Sequence, residues 1–448
     1  MEEITTGKTH VLLLPIPAQG HLNPLIQFSK ILASKGTKVT ILTIDLVCNT
    51  LLLDSGPLVN IETIQHEPTL VDTLDNFLEW FQSLILENFS TIIEKFANSN
   101  YPVKVLVFDS IITWIIDLAH QLGLKVAALH TQPIALSALY THIDHEDPSK
   151  NPFVGYSVVQ LPSLPLLENE DLPTFISESD AYPTVRRLAF GQNFNFKKAD
   201  WLLFNTFDAL EEEVINWLRA KYIIKTIGPV VLLTYLDKEY GSSLIKPNYE
   251  TCKNWLDSKE IGSVVYVSFG SMANLDKRQM EELASGLMMS DCYFLWVVKT
   301  TEENKLPEEF MSKAKEKGLI VNWCPQVDVL AHQAVGCFFT HCGWNSILEA
   351  LSLGVPVIGM PQWADQPTNA KYVSDVWKIG IRVKAGKEGI ITREDVAISI
   401  KEVMQGKKGV VLKENVIKWK KMAKEAVDEG GISNKNIMEF LQDCNALN

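Results

Sequence analysis

The residues most able to do chemistry stand just after apolar runs of strand length. Thr340-His-Cys-Gly-Trp-Asn-Ser346 follows one such run and opens the helical stretch Ser346-Ile-Leu-Glu-Ala-Leu-Ser-Leu, which Gly354 ends. Gly343 permits a tight turn, and Asn345 and Ser346 fall at the helix start, where backbone N–H groups lack intrahelical partners. Such a terminus favours an anion, typically a phosphate, and His341 and Asn345 add side-chain donors without a Walker lysine. A capped helix with no ligand fits the same local pattern about as well. Phe269-Gly-Ser-Met272 follows another strand, with Gly270 for close backbone approach and a hydroxyl on Ser271. By itself it reads as a simple strand-to-helix turn.

Trp323-Cys-Pro-Gln326 places an indole at a strand end, where it can stack on a planar heterocycle, with Gln326 able to bond sugar hydroxyls. A Trp in that position is more often a partly buried core residue. Glu349 lies one helical turn beyond Ser346, on a face that reaches either a ribose diol or solvent. Pro361-Gln-Trp-Ala-Asp-Gln366 supplies Asp365 and Gln366, whose acceptors and donors suit hexose hydroxyls, although such a pair is usually solvated surface. The remaining candidates are acid–base groups. His21 lies in Pro17-Ala-Gln-Gly-His-Leu-Asn-Pro24, and Asp109, followed by Ser110, ends a different strand. Two strand ends of one parallel sheet can bring them within hydrogen-bond reach, and a carboxylate-oriented imidazole is an effective general base near neutral pH. No G-x-S-x-G elbow accompanies them, so a hydrolase triad is poorly supported. A structural role for His21 beside the helix start stands as the alternative.

The elements that must position these groups follow a βα grammar. His10–Pro15 is a strand, and Asn23–Leu32 is a helix with Asn23 as cap, Pro24 at the first position and Gly36 as stop. Lys38–Thr43 is a second strand. Strands apolar on both faces, alternating with helices, indicate a covered parallel sheet. The pattern recurs at Val103–Asp109, in a helix over Ile111–Leu122, at Lys125–His130, at Trp201–Asn205 and in a helix over Ala209–Lys221. Residues 66–90 and 150–195 read as loops, and 229–252, carrying Pro, Gly, Ser and mixed charge, as a linker. The grammar restarts with strands at Ser263–Phe269, Tyr293–Val298, Gly318–Trp323, Val335–Thr340 and Val355–Gly359, and with a helix over Lys277–Ser290. The last forty residues are helical. The expectation is an α/β chain of two doubly wound domains flanking a cleft, with ligands beyond the carboxyl ends of the strands.

Composition narrows the class. The 448 residues carry 41 Lys+Arg against 54 Asp+Glu, a net charge of −13. With no compensating basic run, nucleic acid and anionic membrane are disfavoured as partners. A hydrophobic share of 46% with 21% charged residues is globular rather than disordered. Seven cysteines lack C-x-x-C spacing, which argues against a disulfide framework or a zinc site. The acidic start Met1-Glu-Glu and the short apolar run Val11–Ile16 fit neither a signal peptide nor a membrane span. These features predict a soluble, cytoplasmic monomer.

Taken together, Trp323-Cys-Pro-Gln, Thr340-His-Cys-Gly-Trp-Asn-Ser and Pro361-Gln-Trp-Ala-Asp-Gln366, in this order, resemble the signature segment of plant UDP-dependent glycosyltransferases that glycosylate small lipophilic metabolites. The opening Pro17–Pro24, Val264–Ser271 and the tail Trp419–Gly431 extend the resemblance along the chain. Tyr235-Leu-Asp-Lys and Asn254-Trp-Leu-Asp-Ser258 look closest to the branch numbered 74. The resemblance implies a GT-B fold with an acceptor-binding domain over 1–228, a linker over 229–252 and a UDP-sugar-binding domain over 253–430. A C-terminal helix over 431–448 would pack back on the first domain.

On the same resemblance, Trp323 would stack on uracil, Cys324 would belong to the donor site, Gln326 and Glu349 would hold the ribose, and Ser271, His341, Asn345 and Ser346 the diphosphate. Trp344, Asp365 and Gln366 would contact the sugar, Gln366 favouring UDP-glucose. His21 would be the base and Asp109 its partner, in an inverting transfer that needs no metal and no bound cofactor beyond the co-substrate. Ile347, where Thr is usual, and Gln333, where Pro is frequent, depart from the pattern without removing a catalytic atom. Candidate acceptor walls are Ile16, Trp80, Phe81, Ile111, Thr131, Tyr140, Phe190, Phe194 and Asn195, for a steroid, terpenoid, flavonoid or phenolic. A UDP-sugar hydrolase or epimerase on the same fold, or a catalytically silent metabolite binder, are the competing readings.

Overall fold

The computed structural model describes residues 9–45, 59–66, 72–143, 153, 156–177, 182–236, 249–386 and 388–447. The chain forms two compact units. One holds Met1–Asn169, Thr174–Leu244 and Glu425–Asn448, the other Glu170–Pro173 and Ile245–Lys424.

In the first unit, β1 (His10–Leu14) is buried along its whole length, as a strand covered on both faces must be. Helix α1 (Gln19–Ser34) follows, then β2 (Lys38–Ile44), β3 (Val59–Ile64) and α2 (Leu74–Ala97). After these come β4 (Val103–Asp109), β5 (Lys125–His130), α3 (Pro183–Phe194), β6 (Trp201–Phe204) and β7 (Ile224–Thr226). The strand order is β3-β2-β1-β4-β5-β6-β7, with every neighbouring pair parallel. Chain direction across the sheet reverses between β1 and β4.

Several sequence expectations are corrected here. Helix α1 starts at Gln19 with Ala18 as an extended N-cap residue, so Asn23 is no cap and Pro24 lies inside the helix. Gly20, four residues before Pro24, has open space where a Cβ would stand. The stretch expected to be one helix over 111–122 is a 3₁₀ turn, Thr113–Ile115, running into a short α-helix, Ile116–Gln121. The helix read over 209–221 is confined to Glu212–Arg219.

Residues 66–90 are largely α2 rather than loop. Thr73 caps it by accepting from the Asn76 N–H, and Leu78, Phe81, Ile85, Phe89, Ile92 and Ile93 form its buried stripe. Residues 183–194 form α3 rather than loop. The expected linker is helical at both ends, over Val230–Leu236 and Tyr249–Asp257, and its residues 237–248 lie outside the described residues.

The second unit runs β8 (Val264–Ser268), α4 (Lys277–Met289), β9 (Tyr293–Val297), β10 (Gly318–Val321), β11 (Val335–Thr340), α5 (Trp344–Leu353), β12 (Val357–Gly359), α6 (Gln366–Lys371) and β13 (Gly380–Arg382). Its sheet is parallel in the order β10-β9-β8-β11-β12-β13, reversing between β8 and β11. A register shift recurs at the same place in both sheets, between His10 and Val11 where β1 meets β4 and between Val264 and Val265 where β8 meets β11.

Two segments depart from a single boundary near 229–252. Residues 170–173 join the second unit because the buried Asp171 carboxylate pairs with Arg382 at 2.6 Å and Lys371 at 3.3 Å, while its carbonyl accepts from Thr368 at 2.7 Å. The chain rejoins the first unit at Glu425, earlier than 431. There α7 (Ile432–Asn445) buries Ile437, Phe440, Leu441 and Cys444 against Val11, Leu13 and Phe28. No described helix is long and apolar enough to cross a membrane.

Candidate active site

In open parallel sheets, the gap at the strand-order reversal is where a ligand meets the carboxyl ends of the strands. In the first unit that gap is flanked by β1 and β4. The third residue of α1 is His21, and β4 ends in Asp109; the imidazole Nδ1 stands 2.7 Å from Asp109 Oδ2. Asp109 is fully buried, whereas the His21 side chain is 25% exposed, so only the imidazole faces out. The other carboxylate oxygen accepts from the Ile111 N–H at 3.2 Å, which fixes the group at both ends. Thr131, directly after β5, places its hydroxyl 3.4 Å from His21 Nδ1. With Nδ1–H donated to a carboxylate, a neutral imidazole carries its lone pair on Nε2, the geometry of a general base.

In the second unit the gap lies between β8 and β11. After β8 comes Gly270, in the left-handed region at φ +70, and after β11 comes His341. A Cβ built on Gly270 would lie 2.9 Å from the His341 ring, and one on Gly343 2.5 Å from its Nε2. Glycine at both positions is what lets the imidazole lie between the two loops. Burial pulls the His341 pKa down to about 4, so the ring is neutral at pH 7. Its Nδ1 stands 3.2 Å from Thr340 Oγ1. Gly343 is the N-cap residue of α5, with Trp344, Asn345 and Ser346 as the first turn, an arrangement whose backbone N–H groups favour an anion. Ser271 is exposed beside it, its carbonyl accepting from Lys299 Nζ at 3.4 Å.

A hydrogen-bonded chain joins the loop after β10 to α5. Gln326 donates to Glu349 at 2.6 Å and to Ser346 Oγ at 3.0 Å, and it accepts from the Tyr266 hydroxyl at 3.2 Å. Burial raises the Glu349 carboxyl to about 7, with the Gln326 bond opposing. Tyr266 was not singled out from sequence; the one signal for it is a phenol inside the otherwise apolar Val264–Val267 run. Cys324 Sγ lies 3.3 Å from the same hydroxyl and is buried, so it supports the loop from beneath. Trp323, partly exposed, precedes it.

The structure gathers Ser271, Trp323, Gln326, His341, Asn345, Ser346 and Glu349 on the loops and helix start at the carboxyl ends of β8, β10 and β11. Trp344 differs: its ring is buried against Trp377, at 6.0 Å between centroids. Asp365 and Gln366 are not a solvated pair. Gln366 is buried, its Oε1 accepting from the Gln362 and Trp363 N–H groups at 2.9 and 3.1 Å, so its amide N–H groups are the side turned to other partners. Asp365 accepts from Asn369 Nδ2 at 2.7 Å. Among the described residues, no group of three or more His, Cys, Asp and Glu side chains is arranged to hold a metal.

The expected acceptor walls divide into three sets. Ile16, Ile111 and Thr131 stand at the strand ends around His21 and Asp109. Phe81, Tyr140 and Phe190 are packed in the core, Tyr140 on Phe190 at 5.1 Å. Trp80 meets His66 edge-on at 4.8 Å, Phe194 is half-buried, and Asn195 closes α3 by donating to the Gly191 carbonyl at 2.8 Å.

Residues 207–427 match the family described as UDP-glucoronosyl and UDP-glucosyl transferase. UDP-glycosyltransferase 74E2 of Arabidopsis thaliana is 44% identical over 448 residues, with 97% of this chain and 98% of the relative covered. Mogroside I-E synthase of Siraitia grosvenorii is 45% identical over 450 residues, with 97% and 98% covered. Os79 from O. sativa, solved in complex with UDP, superposes with a TM-score of 0.87 at 33% identity, covering 97% of this chain and 100% of that one; it has also been solved with U2F and trichothecene. By sequence along nearly its whole length and by a GT-B fold of two Rossmann-like units, the chain belongs to the UDP-glycosyltransferases, with members of the branch numbered 74 among its relatives.

Proposed function

We propose that this UDP-glycosyltransferase transfers glucose from UDP-glucose, with inversion, to a hydroxyl or carboxyl of a small lipophilic metabolite. The observation that carries the reading is the His21–Asp109 pair at 2.7 Å, with a fully buried carboxylate and a partly exposed imidazole. His21 Nε2 removes the acceptor proton as the acceptor oxygen attacks the anomeric carbon from the face opposite UDP. The C1–O bond to the diphosphate breaks and its electron pair leaves with UDP, so an α-linked donor gives a β-glucoside. Asp109 holds the Nδ1–H tautomer and stabilises the imidazolium as it forms.

In the second unit, Trp323 stacks on uracil over the Cys324 turn, and Gln326 and Glu349 meet the ribose hydroxyls. Ser271, His341, Asn345 and Ser346 hold the diphosphate at the start of α5, where backbone donors and the helix dipole stabilise the charge developing on the leaving group. We assign transfer without a divalent metal on that arrangement. The Trp344 main chain, Asp365 and the Gln366 amide read the sugar, and the tethered Gln366 carbonyl oxygen supports a donor with a fixed hydroxyl pattern such as glucose. The acceptor we infer is a rigid multi-ring compound, a steroid, terpenoid or flavonoid, taken up near Ile16, Ile111 and Thr131. The mogroside in one relative's name and the trichothecene bound to Os79 support that class.

The test is a mass-shift screen of the protein with UDP-glucose and EDTA against steroids, terpenoids, flavonoids and phenolic acids. A gain of one hexose on an acceptor is expected. Consumption of UDP-glucose with no acceptor shift would replace transfer by hydrolysis or epimerisation. Turnover that stops with EDTA and returns with a divalent cation would overturn the metal-free assignment.

A further inference from the structure

Side chains alternate across a strand, so two successive residues at a strand end serve opposite faces of the sheet. In β4 and β5 this alternation separates two sets of groups. Val107 and Leu129 pack with α1, and beyond them Asp109 and Thr131 lie on that face, around His21. Phe108 and Ala128 pack in the opposite core with Leu188 of α3, and beyond them Ser110 and His130 lie on that second face. There Ser110 meets a side chain of α3. Ser110 Oγ donates to Gln192 Oε1 at 2.5 Å. Gln192 Nε2 donates to the Ala189 carbonyl at 3.0 Å, which ties the amide to its own helix.

All three residues are buried, Ser110 at 1% exposure, His130 at 2% and Gln192 at 4%. The His130 ring is stacked on Phe204 at 4.1 Å and meets Phe196 edge-on, so it cannot swing away. The Ser110 N–H also donates to the Leu129 carbonyl at 3.0 Å, which locks the ends of β4 and β5 together. A hydroxyl and an amide buried in an apolar core cost desolvation unless they are bonded, and the Ser110–Gln192 bond both offsets that cost and fixes their arrangement. Nothing in the acid–base chemistry of His21 uses it directly.

We propose that Gln192 is a positioning residue. It clamps the β4 end through Ser110, and so sets the Asp109 carboxylate that orients His21 on the other face of the sheet. The inference rests on the reading of His21 as base. It makes α3 a lever, since the helix that carries Phe190 and Phe194 is joined by a single buried amide to the residue following Asp109. Deleting the amide leaves every group that touches substrate in place but loosens their alignment.

The test compares Gln192→Leu, Ser110→Ala and the double variant. Gln192→Leu leaves the Ser110 hydroxyl buried without a partner and lowers the melting temperature; the double variant removes both partners and recovers it. Stability and positioning are thereby separated. Two readouts report positioning: kcat with UDP-glucose and the panel acceptor that the wild type converts fastest, and the ¹⁵N resonances of His21 in ¹⁵N-histidine-labelled protein, assigned with His21→Gln.

In the wild type His21 is expected to show a single tautomer with the proton on Nδ1. The double variant is expected to melt like the wild type, to lose about tenfold in kcat with the KM for UDP-glucose unchanged, and to show mixed tautomers. Recovery of kcat and of the single tautomer along with stability would overturn the proposal and leave the cluster structural. His21→Ala run alongside keeps the two readings apart. An inactive His21→Ala beside a fully active double variant sinks only the clamp. Full activity in His21→Ala sinks the base reading, and the tautomer signal still decides whether Gln192 orients the ring.

Discussion

The two units share a parallel sheet, the reversal of strand order around the first strand, and even the register shift where that strand meets its partner across the gap. They differ in what the loops at the gap do to a histidine. In the first unit the imidazole is partly exposed and hydrogen-bonded to a buried carboxylate. In the second, His341 is fitted against two glycines and held neutral by burial, with a pKa of about 4. The same backbone crossover thus presents a carboxylate-bonded, partly exposed imidazole in one unit and a buried, neutral one in the other. Topology decides where a ligand meets the protein. Burial and the neighbouring side chain decide whether the group there changes charge.

That contrast can be broken at its ends. The largest effect expected is from Asp109→Asn, which keeps the shape but reverses the preferred histidine tautomer. Steady-state kinetics should show kcat lower by about 10²–10⁴-fold with UDP-glucose KM unchanged. A small loss would mean that His21 needs no orienting partner. Next is Gly343→Ala, whose methyl group would occupy space 2.5 Å from His341 Nε2 and push the ring out of place. Calorimetry should find UDP binding weaker by about tenfold, the scale of one lost charge-assisted hydrogen bond. Unchanged UDP affinity would remove His341 from the diphosphate site.

Glu349 sharpens the comparison through pH. Burial holds its carboxyl at about 7 in the folded chain, against an ordinary value of 4.5. Between those two values the folded state keeps a proton that the unfolded state has released. Stability from this group is therefore full below pH 4.5 and is lost as pH rises through 7. Glu349→Gln lacks that slope, so its melting temperature should gain on the wild type by a few degrees from pH 5 to pH 8 in the absence of UDP. A constant difference would place the carboxyl as ionised throughout.

The smallest effect concerns α1, whose start carries His21. Because the helix begins at Gln19, Asn23→Ala should cost less than about 0.5 kcal/mol in denaturant unfolding, the level of an ordinary surface change. A loss of about 1 kcal/mol would restore Asn23 to a capping role.

The asymmetry between the units also explains what the sequence could and could not disclose. Strands were legible because a parallel strand must be apolar on both faces, and Val264–Val267 or Leu12–Leu14 can hardly be anything else. The loops at their carboxyl ends then located His21, Asp109, His341 and Gln326 without coordinates. The start of α1 is not legible because Asn23-Pro24 is a strong local start signal, whereas the helix begins four residues earlier with no side-chain cap. Helix α2 is hidden although Leu78, Phe81, Ile85 and Phe89 keep helical spacing, since the polar residues between them resemble a solvated loop.

Other features have no local trace. The docking of residues 170–173 depends on ion pairs with Arg382 and Lys371, some two hundred positions along the chain. The burial of the Trp344 ring depends on Trp377, and the hold on Gln326 depends on a tyrosine from β8. Pairing across such separations is set by tertiary packing and leaves no spacing pattern to read.

The central claim is that His21 moves the proton while the second unit only holds the nucleotide. It is tested most directly by His21→Ala, measured for single-turnover glucose transfer and for UDP binding on one preparation. The account predicts that UDP affinity stays at the wild-type value while transfer falls by about 10²-fold or more. Transfer at the wild-type rate with UDP bound normally would contradict it.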